Sequence, residues 1–165
     1  MGDRFIVQSE DLFSWDTDIP LTYRLNEYDT KKSFTLMVYR QREFLFHCRL
    51  YYLNAKKRKS MGLPVSVRYE LGDVWLSAEY QGNSMDGLKY SSICFALVNE
   101  YLSKSGIHDL VLWTWSDNKK AIKRYRDLGF EEVKEPKILA YYKKVAKRHH
   151  IDDYLVMIRR KDYIS

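Results

Sequence analysis

Short apolar runs separated by polar breaks fill the first half of the chain. Residues 33–40 and 44–53 are rich in β-branched and aromatic side chains, and the polar residues 41–43 lie between them. Two such runs around a short break predict a β-hairpin. The polar and basic residues 54–62 then predict a loop, and residues 65–71 predict a further short strand.

The centre of the chain changes from strand to helix periodicity. Residues 73–80 predict a strand, and the small and polar residues 81–87 predict a loop. From 86 to 103, apolar side chains recur every three or four residues on two stripes, which predicts a helix that is largely buried. The stripes consist of Tyr90, Cys94, Leu97 and Tyr101, and of Leu88, Phe95, Val98 and Leu102.

Strands and helices alternate in the last third of the chain. Residues 110–115 are apolar on both faces, as in a central strand that is covered on both sides. Ser116 and Asp117 offer an N-cap for a helix, and Gly129 offers the left-handed residue that closes it. A short strand, an amphipathic basic helix and a final strand follow, over 130–133, 138–150 and 154–160. This order predicts a layered α/β domain.

The composition indicates a chain that folds, and it argues against a membrane-spanning, secreted or metal-binding protein. A length of 165 residues with 45% apolar and 15% aromatic side chains predicts one domain with a buried core. We find no apolar run of membrane-spanning length and no signal peptide, so we expect a soluble, cytoplasmic protein. Cys48 and Cys94 lie in apolar stretches and are expected to be buried free thiols. The pair His149-His150 lacks further ligands, so no metal is expected.

Two basic regions account for much of the net charge of +6. One is the run Lys56–Lys59, and the other extends from Lys134 to Lys161. Either could attract a phosphorylated cofactor or nucleic acid, although a solvated helix face or loop is the commoner meaning of such runs.

One motif that could carry chemistry joins the strand at 73–80 to the helix after it. A helix N-terminus presents unpaired N–H groups and the positive end of the helix dipole, so it can hold a pyrophosphate. Small residues let the backbone approach such an anion. A loop with two glycines is also ordinary turn geometry.

The second motif is Asn118-x-x-Ala121-x-x-x-Tyr125-x-x-x-Gly129-Phe130. Helical spacing puts Ala121 and Tyr125 on one face, where the small residue allows a close approach and the phenol can donate a proton. An amphipathic helix with a core tyrosine and a glycine cap would have the same pattern.

The two motifs together, in this order, resemble the GNAT superfamily of N-acetyltransferases over residues 73–133. That resemblance implies an α/β fold with a mixed, mostly antiparallel central sheet flanked by helices. It also implies one domain over residues 1–165, with strands and the acceptor side in 1–72, the acyl-CoA-binding core in 73–133, and the basic helix and last strand in 134–165.

The resemblance implies acetyl-CoA, or another acyl-CoA, as the cofactor and assigns residues to it. The pyrophosphate loop would consist of Gln81, Gly82, Asn83, Ser84, Met85, Asp86 and Gly87. The pantetheine arm would pair with Leu76, Ser77 and Ala78 and would contact Asn118. Ser84 and Asp86 stand where the family has glycines, and the Asp86 carboxylate would compete with phosphate for N–H groups at a cost of about 0.3–1 kcal/mol.

The implied reaction transfers an acyl group from the thioester directly to a primary amine. Tyr125 is the expected proton donor to the leaving thiolate. Backbone N–H groups near Leu76–Ala78 would polarise the carbonyl. The expected general base is Glu79, with Glu70 and Asp73 behind it.

Two alternatives remain open within this fold. The acceptor could be an amine on nucleic acid, as the basic regions and high aromatic content suggest. The altered loop also allows a non-catalytic module that binds a partner and has lost the cofactor. The sequence leaves the acceptor and the oligomeric state open.

Overall fold

The computed structural model describes residues 4–6, 21–27, 32–40, 42–77, 84–85 and 88–160. Its strands are β1 (Arg4–Ile6), β2 (Leu21–Glu27), β3 (Phe34–Arg40), β4 (Glu43–Tyr52), β5 (Tyr69–Leu76), β6 (Ser84–Met85), β7 (Leu88–Lys89), β8 (Leu110–Trp115), β9 (Glu131–Glu132) and β10 (Tyr154–Arg159). Its helices are α1 (Ala55–Met61), α2 (Tyr90–Lys104), α3 (Lys119–Asp127) and α4 (Pro136–Arg148).

The chain forms two compact units. Unit 1 consists of Met1–Tyr51 and Leu71–Gly106, and unit 2 consists of Tyr52–Glu70 and Ile107–Ser165. The boundary between Glu70 and Leu71 falls within β5. The prediction of one domain over the whole chain stays a prediction.

Unit 1 is built on an antiparallel meander of β1, β2, β3 and β4. The hairpin predicted for β3 and β4 is confirmed, with a β-bulge where the register shifts between Val38 and Tyr39. Helix α2 covers one face of this sheet. Phe46 of β4 packs edge-on against Phe95 of α2, with ring centroids 5.3 Å apart.

The start of α2 differs from the prediction. The helix begins at Tyr90 rather than at residue 86, because β6 and β7 pair first as a short antiparallel ladder. The dipeptide Asp86-Gly87, which joins these strands, has low helix propensity and is a strong hairpin signal. The prediction of a largely buried helix is confirmed, since Cys94, Leu97 and Val98 are buried, while Tyr101 is half-buried.

Unit 2 contains a mixed sheet. The first residues of β5, Tyr69 and Glu70, pair in parallel with β8. Strand β10 then pairs antiparallel with both β8 and β9. The strands predicted at 110–115 and 154–160 are confirmed, whereas 65–71 and 73–80 are wrong as separate strands, because the single strand β5 runs from Tyr69 to Leu76.

The three helices of unit 2 lie on opposite faces of that sheet. Val111 of β8 and Val156 and Ile158 of β10 share a buried cluster with Met61 of α1 and with Ile138 and Tyr142 of α4. Since successive strand residues point to opposite faces, Leu155 points away from this cluster. Leu155 lies beside α3 instead. Helices α1 and α4 therefore cover one face, and α3 covers the other.

Helix α1 replaces a predicted loop. The side-chain oxygen of Asn54 accepts a hydrogen bond from the Lys57 N–H at 2.8 Å, which caps the helix start. Gly62 ends it in the left-handed conformation, at φ +78°. Only Met61 of this helix is buried. The chain therefore shows both caps in its sequence but lacks the apolar stripe by which a helix is usually recognised.

Helix α4 is the predicted basic helix, and it begins two residues earlier than expected. Pro136 occupies the first turn, where its missing N–H costs nothing. Among the described residues, no helix is long and apolar enough to span a membrane.

Candidate active site

The start of α3 carries an amide side chain that the helix does not use. Asn118 is the N-cap residue, in place of the predicted Ser116-Asp117, and its side chain makes no capping hydrogen bond. The cap is held through the backbone, where the Asn118 carbonyl accepts from the Ile122 N–H at 3.0 Å. The exposed Asn118 amide is therefore able to hydrogen-bond a ligand.

Tyr125 lies two turns along the same helix and is buried, with 5% of its surface exposed. Its ring packs edge-on against Phe130, with centroids 5.8 Å apart. The Tyr125 carbonyl accepts from the N–H groups of Leu128 and Phe130 at 3.1 and 2.9 Å. Gly129 between them has φ +93°, so the predicted glycine closure of the helix is confirmed.

A half-buried arginine on β10, Arg159, fixes this turn. The Arg159 Nε donates to the His108 carbonyl at 2.8 Å, and Nη1 donates to the Leu128 carbonyl at 3.3 Å. Its guanidinium lies 5.1 Å from the Phe130 ring centroid. Burial lowers the pKa of Arg159, and the buried carboxylate of Asp109 opposes this. The sequence pattern did not reveal Arg159, because one arginine near a strand end has no distinguishing signal.

A shallow cavity of about 450 Å³ opens on another side of α3. Its lining consists of Ser116, Lys119, Ile122, Lys123, Arg126, Asp127 and Leu155. These helix positions follow the spacing i, i+3, i+4 and i+7, which defines one face. Tyr125 is not on that face, so the cavity is separate from the motif residues Asn118 and Tyr125.

The predicted cofactor residues of unit 1 are described only in part. Leu76 is the last residue of β5, and Ser84 and Met85 form β6 rather than a loop. Seven predicted site residues lie outside the described part of the chain: Ala78, Glu79, Gln81, Gly82, Asn83, Asp86 and Gly87.

The backbone of Ser77 is already engaged. Its N–H donates to the Leu45 carbonyl at 2.8 Å. Within the predicted segment Leu76–Ala78, the Ser77 N–H is therefore bound by the protein itself.

Glu70 and Asp73, the two alternative candidates for the general base, each accept a hydrogen bond from a tyrosine. In unit 2, the Tyr142 hydroxyl donates to Glu70, and burial followed by the charge of Glu70 raises the pKa of Tyr142 well above its ordinary value. In unit 1, the Tyr51 hydroxyl donates to Asp73. Asp73 has φ +49°, a conformation that is uncommon outside glycine. Both carboxylates are thus oriented by the fold.

Beside Asp73, three rings of unit 1 stack on one another. The centroid of Trp75 lies 5.4 Å from that of Phe44 and 5.7 Å from that of His47. Burial lowers the pKa of His47, and Asp73 opposes this. His47 is therefore neutral at pH 7. Trp75 is 44% exposed, so the stack reaches the surface.

The tryptophans of β8 and the two cysteines have simple environments. Trp113 packs edge-on against Tyr154, whereas Trp115 is 55% exposed. Cys48 and Cys94 are buried and free, as predicted. In the part of the chain that the structure describes, no three His, Cys, Asp or Glu side chains are grouped as a metal site would require.

Comparison by sequence finds nothing, since no family model matches the chain and no curated protein does. Comparison by structure does. A putative streptothricin acetyltransferase from Bacillus anthracis, solved with acetyl coenzyme A, matches at a TM-score of 0.52 and 13% identity. The match covers 81% of this chain and 65% of that one.

Two further N-acetyltransferase and acetyltransferase structures agree. A spermidine N-acetyltransferase SpeG chimera from Vibrio cholerae and hSSAT matches at a TM-score of 0.53 and 18% identity, over 80% of this chain and 67% of that one. An acetyltransferase from Streptococcus agalactiae matches at 0.52 and 12%, over 81% and 70%. The chain has the fold of the GNAT N-acetyltransferases. The predicted fold class is thereby confirmed. In this GNAT fold, α3 carries the Asn–Tyr–Gly–Phe block on which the resemblance was based.

Proposed function

We propose that the protein is an acyl-CoA-dependent N-acyltransferase that moves an acetyl or similar group to a primary amine. The observation that carries this proposal is the state of α3 in a GNAT fold. The Asn118 amide makes no capping hydrogen bond, and Tyr125 lies on the same helix. Gly129 ends that helix in the left-handed conformation, as the motif requires. The N-acetyltransferases of similar fold, two of them solved with acetyl coenzyme A or coenzyme A, support the choice of donor.

Bound acyl-CoA would supply the thioester, and the residues of this chain would orient it and move protons. Asn118 would hold the pantetheine arm by its amide. The amine nitrogen would form the new bond to the acyl carbon as the carbon–sulfur bond breaks, and Tyr125 would donate its phenol proton to the leaving sulfur and regain one from solvent. The proton lost by the amine would pass to Glu79, or to the oriented carboxylates Glu70 or Asp73.

The proposed acceptor is a cationic amine that must lose a proton before attack. Support comes from a Vibrio cholerae spermidine N-acetyltransferase of similar fold, solved with CoA and spermine at a TM-score of 0.51 and 17% identity. An acceptor amine carried by nucleic acid is the second candidate, and the basic helices of unit 2 favour it.

The first test measures acyl-CoA binding by thermal shift. A ligand at about one hundred times its dissociation constant stabilises by about 2.7 kcal/mol. For a domain of this size, that corresponds to a rise in melting temperature of about 5–11 °C. A flat response to acetyl-, propionyl- and succinyl-CoA would favour the non-catalytic binding module instead.

The second test separates binding from chemistry on α3. Because Asn118 makes no capping hydrogen bond, Asn118→Ala should change the melting temperature of the free protein by less than about 2 °C. The same variant should reduce the shift caused by acetyl-CoA. Tyr125→Phe should keep that shift and lower kcat, with Tyr154→Phe as the matched control. Equal turnover in both tyrosine variants would remove Tyr125 from the role of acid.

A further inference from the structure

The two basic runs of the sequence become two helices without any acidic side chain. Helix α1 carries Lys56, Lys57, Arg58 and Lys59 within seven residues. Helix α4 carries Lys137, Lys143, Lys144, Lys147 and Arg148 within thirteen. All of these cations except Arg58 are exposed. No carboxylate on either helix neutralises them at the i, i+3 or i, i+4 positions where helical ion pairs form.

Charge is also divided unevenly between the two units. The segments of unit 2 contain nineteen lysines and arginines against ten acidic residues, a balance of +9. The segments of unit 1 contain nine against twelve, a balance of −3. The net charge of +6 is therefore a property of unit 2, and α1 and α4 supply nine of its positive charges.

Packing joins the two runs into one surface, which we call the α1–α4 surface and define as the exposed side of Ala55–Met61 and Pro136–Arg148. The Lys57 ammonium lies 5.1 Å from the Tyr141 ring centroid. The Lys137 side chain lies against Gly62, so close that a Cβ there would be 2.7 Å from its Cγ. Runs that are about 80 residues apart in sequence thus adjoin in space.

We propose that the α1–α4 surface binds the phosphate backbone of nucleic acid. Eight exposed cations on two packed helices form a fixed electropositive surface of the kind that attracts phosphates and releases their counterions. The 12 residues from Lys137 to Arg148 extend over about 16 Å, which corresponds to roughly five base pairs of duplex. The proposal is independent of the acyl-transfer activity.

The apolar side chains of α4 argue for this occupant over a membrane. Ile138, Tyr142 and Ala146 are buried in the protein. Among the residues of α1 and α4, all of which the structure describes, Leu139 is the one large apolar side chain that is exposed, with 37% of its surface accessible. A helix that lies in a membrane interface presents a wide apolar face with several Trp, Phe or Leu side chains, whereas α4 exposes a single large one, Leu139.

The test measures binding of a labelled 20-base-pair DNA duplex by fluorescence anisotropy at 50, 100 and 200 mM NaCl. If about four phosphates are neutralised, log K should fall with log salt at a slope of about −3.6, roughly 150-fold over this range. The triple variant Lys143→Gln/Lys144→Gln/Lys147→Gln should make the slope shallower by up to about 2.7.

Helix α3 offers a matched control. Lys119, Lys120 and Lys123 are exposed lysines with the same spacing as Lys143, Lys144 and Lys147. They lie on the helix that covers the opposite face of the unit 2 sheet. The triple change to Gln on α3 removes the same charge as the α4 triple. Because these lysines lie away from the α1–α4 surface, the change should leave the salt slope close to that of the unaltered protein.

Three results would overturn the proposal: no duplex binding at 50 mM salt, equal loss in the α3 and α4 triples, or tighter binding to anionic lipid vesicles or polyglutamate than to the duplex. Glutamine retains good helix propensity, and circular dichroism would verify that α4 is intact. If the α4 triple variant fails to fold, the double variant Lys56→Gln/Lys59→Gln on α1 replaces it. This double variant should make the slope of log K against log salt shallower by up to about 1.8.

Discussion

Arg159 and Arg160 are adjacent on the chain but have opposite surroundings. Arg159 faces inward, where it bonds the carbonyls of His108 and Leu128, covers the Phe130 ring and lies near the buried carboxylate of Asp109. Arg160 is 43% exposed and pairs with Glu135 at the surface. The same substitution to methionine at each position therefore tests the half-buried Arg159 against a matched, more exposed neighbour.

The expected cost follows from the contacts of Arg159. The short hydrogen bond from a charged donor to the His108 carbonyl is worth about 1.5–3 kcal/mol. The longer bond to Leu128 and the contact with the Phe130 ring add about 1 kcal/mol together. We therefore expect Arg159→Met to lose about 3 kcal/mol of unfolding free energy. The surface pair of Arg160 is worth about 0–1 kcal/mol.

Thermal unfolding followed by circular dichroism, with urea titration beside it, measures both variants. For a chain of this length, Arg159→Met should melt about 6–12 °C lower, and Arg160→Met no more than about 4 °C lower. Asp109→Asn should restore part of the loss when combined with Arg159→Met, because it removes a buried charge that Arg159 no longer compensates. Equal melting temperatures for the two single variants would refute the assignment of Arg159 as the residue that fixes the α3 turn.

Three further outcomes follow from other parts of the structure. The pKa of His47 is lowered in the folded state, so the unfolded chain binds a proton below about pH 6.5 while the folded protein still keeps the imidazole neutral. The free energy of unfolding should therefore fall as the pH drops from about 6.5 towards the lower pKa of the folded state. Urea midpoints at pH 7.5 and 5.5 should differ less in His47→Gln, and an unchanged difference would contradict this. Burial raises the pKa of Cys94 to about 12 and that of Cys48 further, so iodoacetamide should label neither thiol in the native protein and both in guanidinium; rapid native labelling would contradict their burial. Asn54→Ala should cost about 1 kcal/mol through loss of the α1 cap, and Gly62→Ala at least as much because of its positive φ, whereas wild-type stability in both would show that α1 does not need its caps.

Elements with strong apolar patterns were predictable from the sequence. The hairpin of β3 and β4, the strands β8 and β10 and the body of α2 all bury apolar side chains at the spacing of their own secondary structure. The motif on α3 was visible because its residues have fixed helical spacing. In these elements, local periodicity and tertiary burial agree, so a sequence pattern is enough.

Elements with weak burial were not predictable. Helix α1 buries only Met61, so its stability depends on caps and on contact with α4, which no local pattern reveals. The predicted start of α2 was wrong because the paired strands β6 and β7 precede the helix. The unused Asn118 amide could not be foreseen either, since an asparagine at that position would ordinarily cap its helix.

The sequence by itself determined which residues could do chemistry and which segments would be basic, because residue type is a local property. Only the tertiary structure decided which of them meet. It brought Arg159 to the turn after Tyr125, gave Glu70 a tyrosine partner, and joined α1 to α4 as one electropositive surface. These are contacts across many residues of sequence, and they depend on packing against a shared sheet, which a pattern along the chain does not contain.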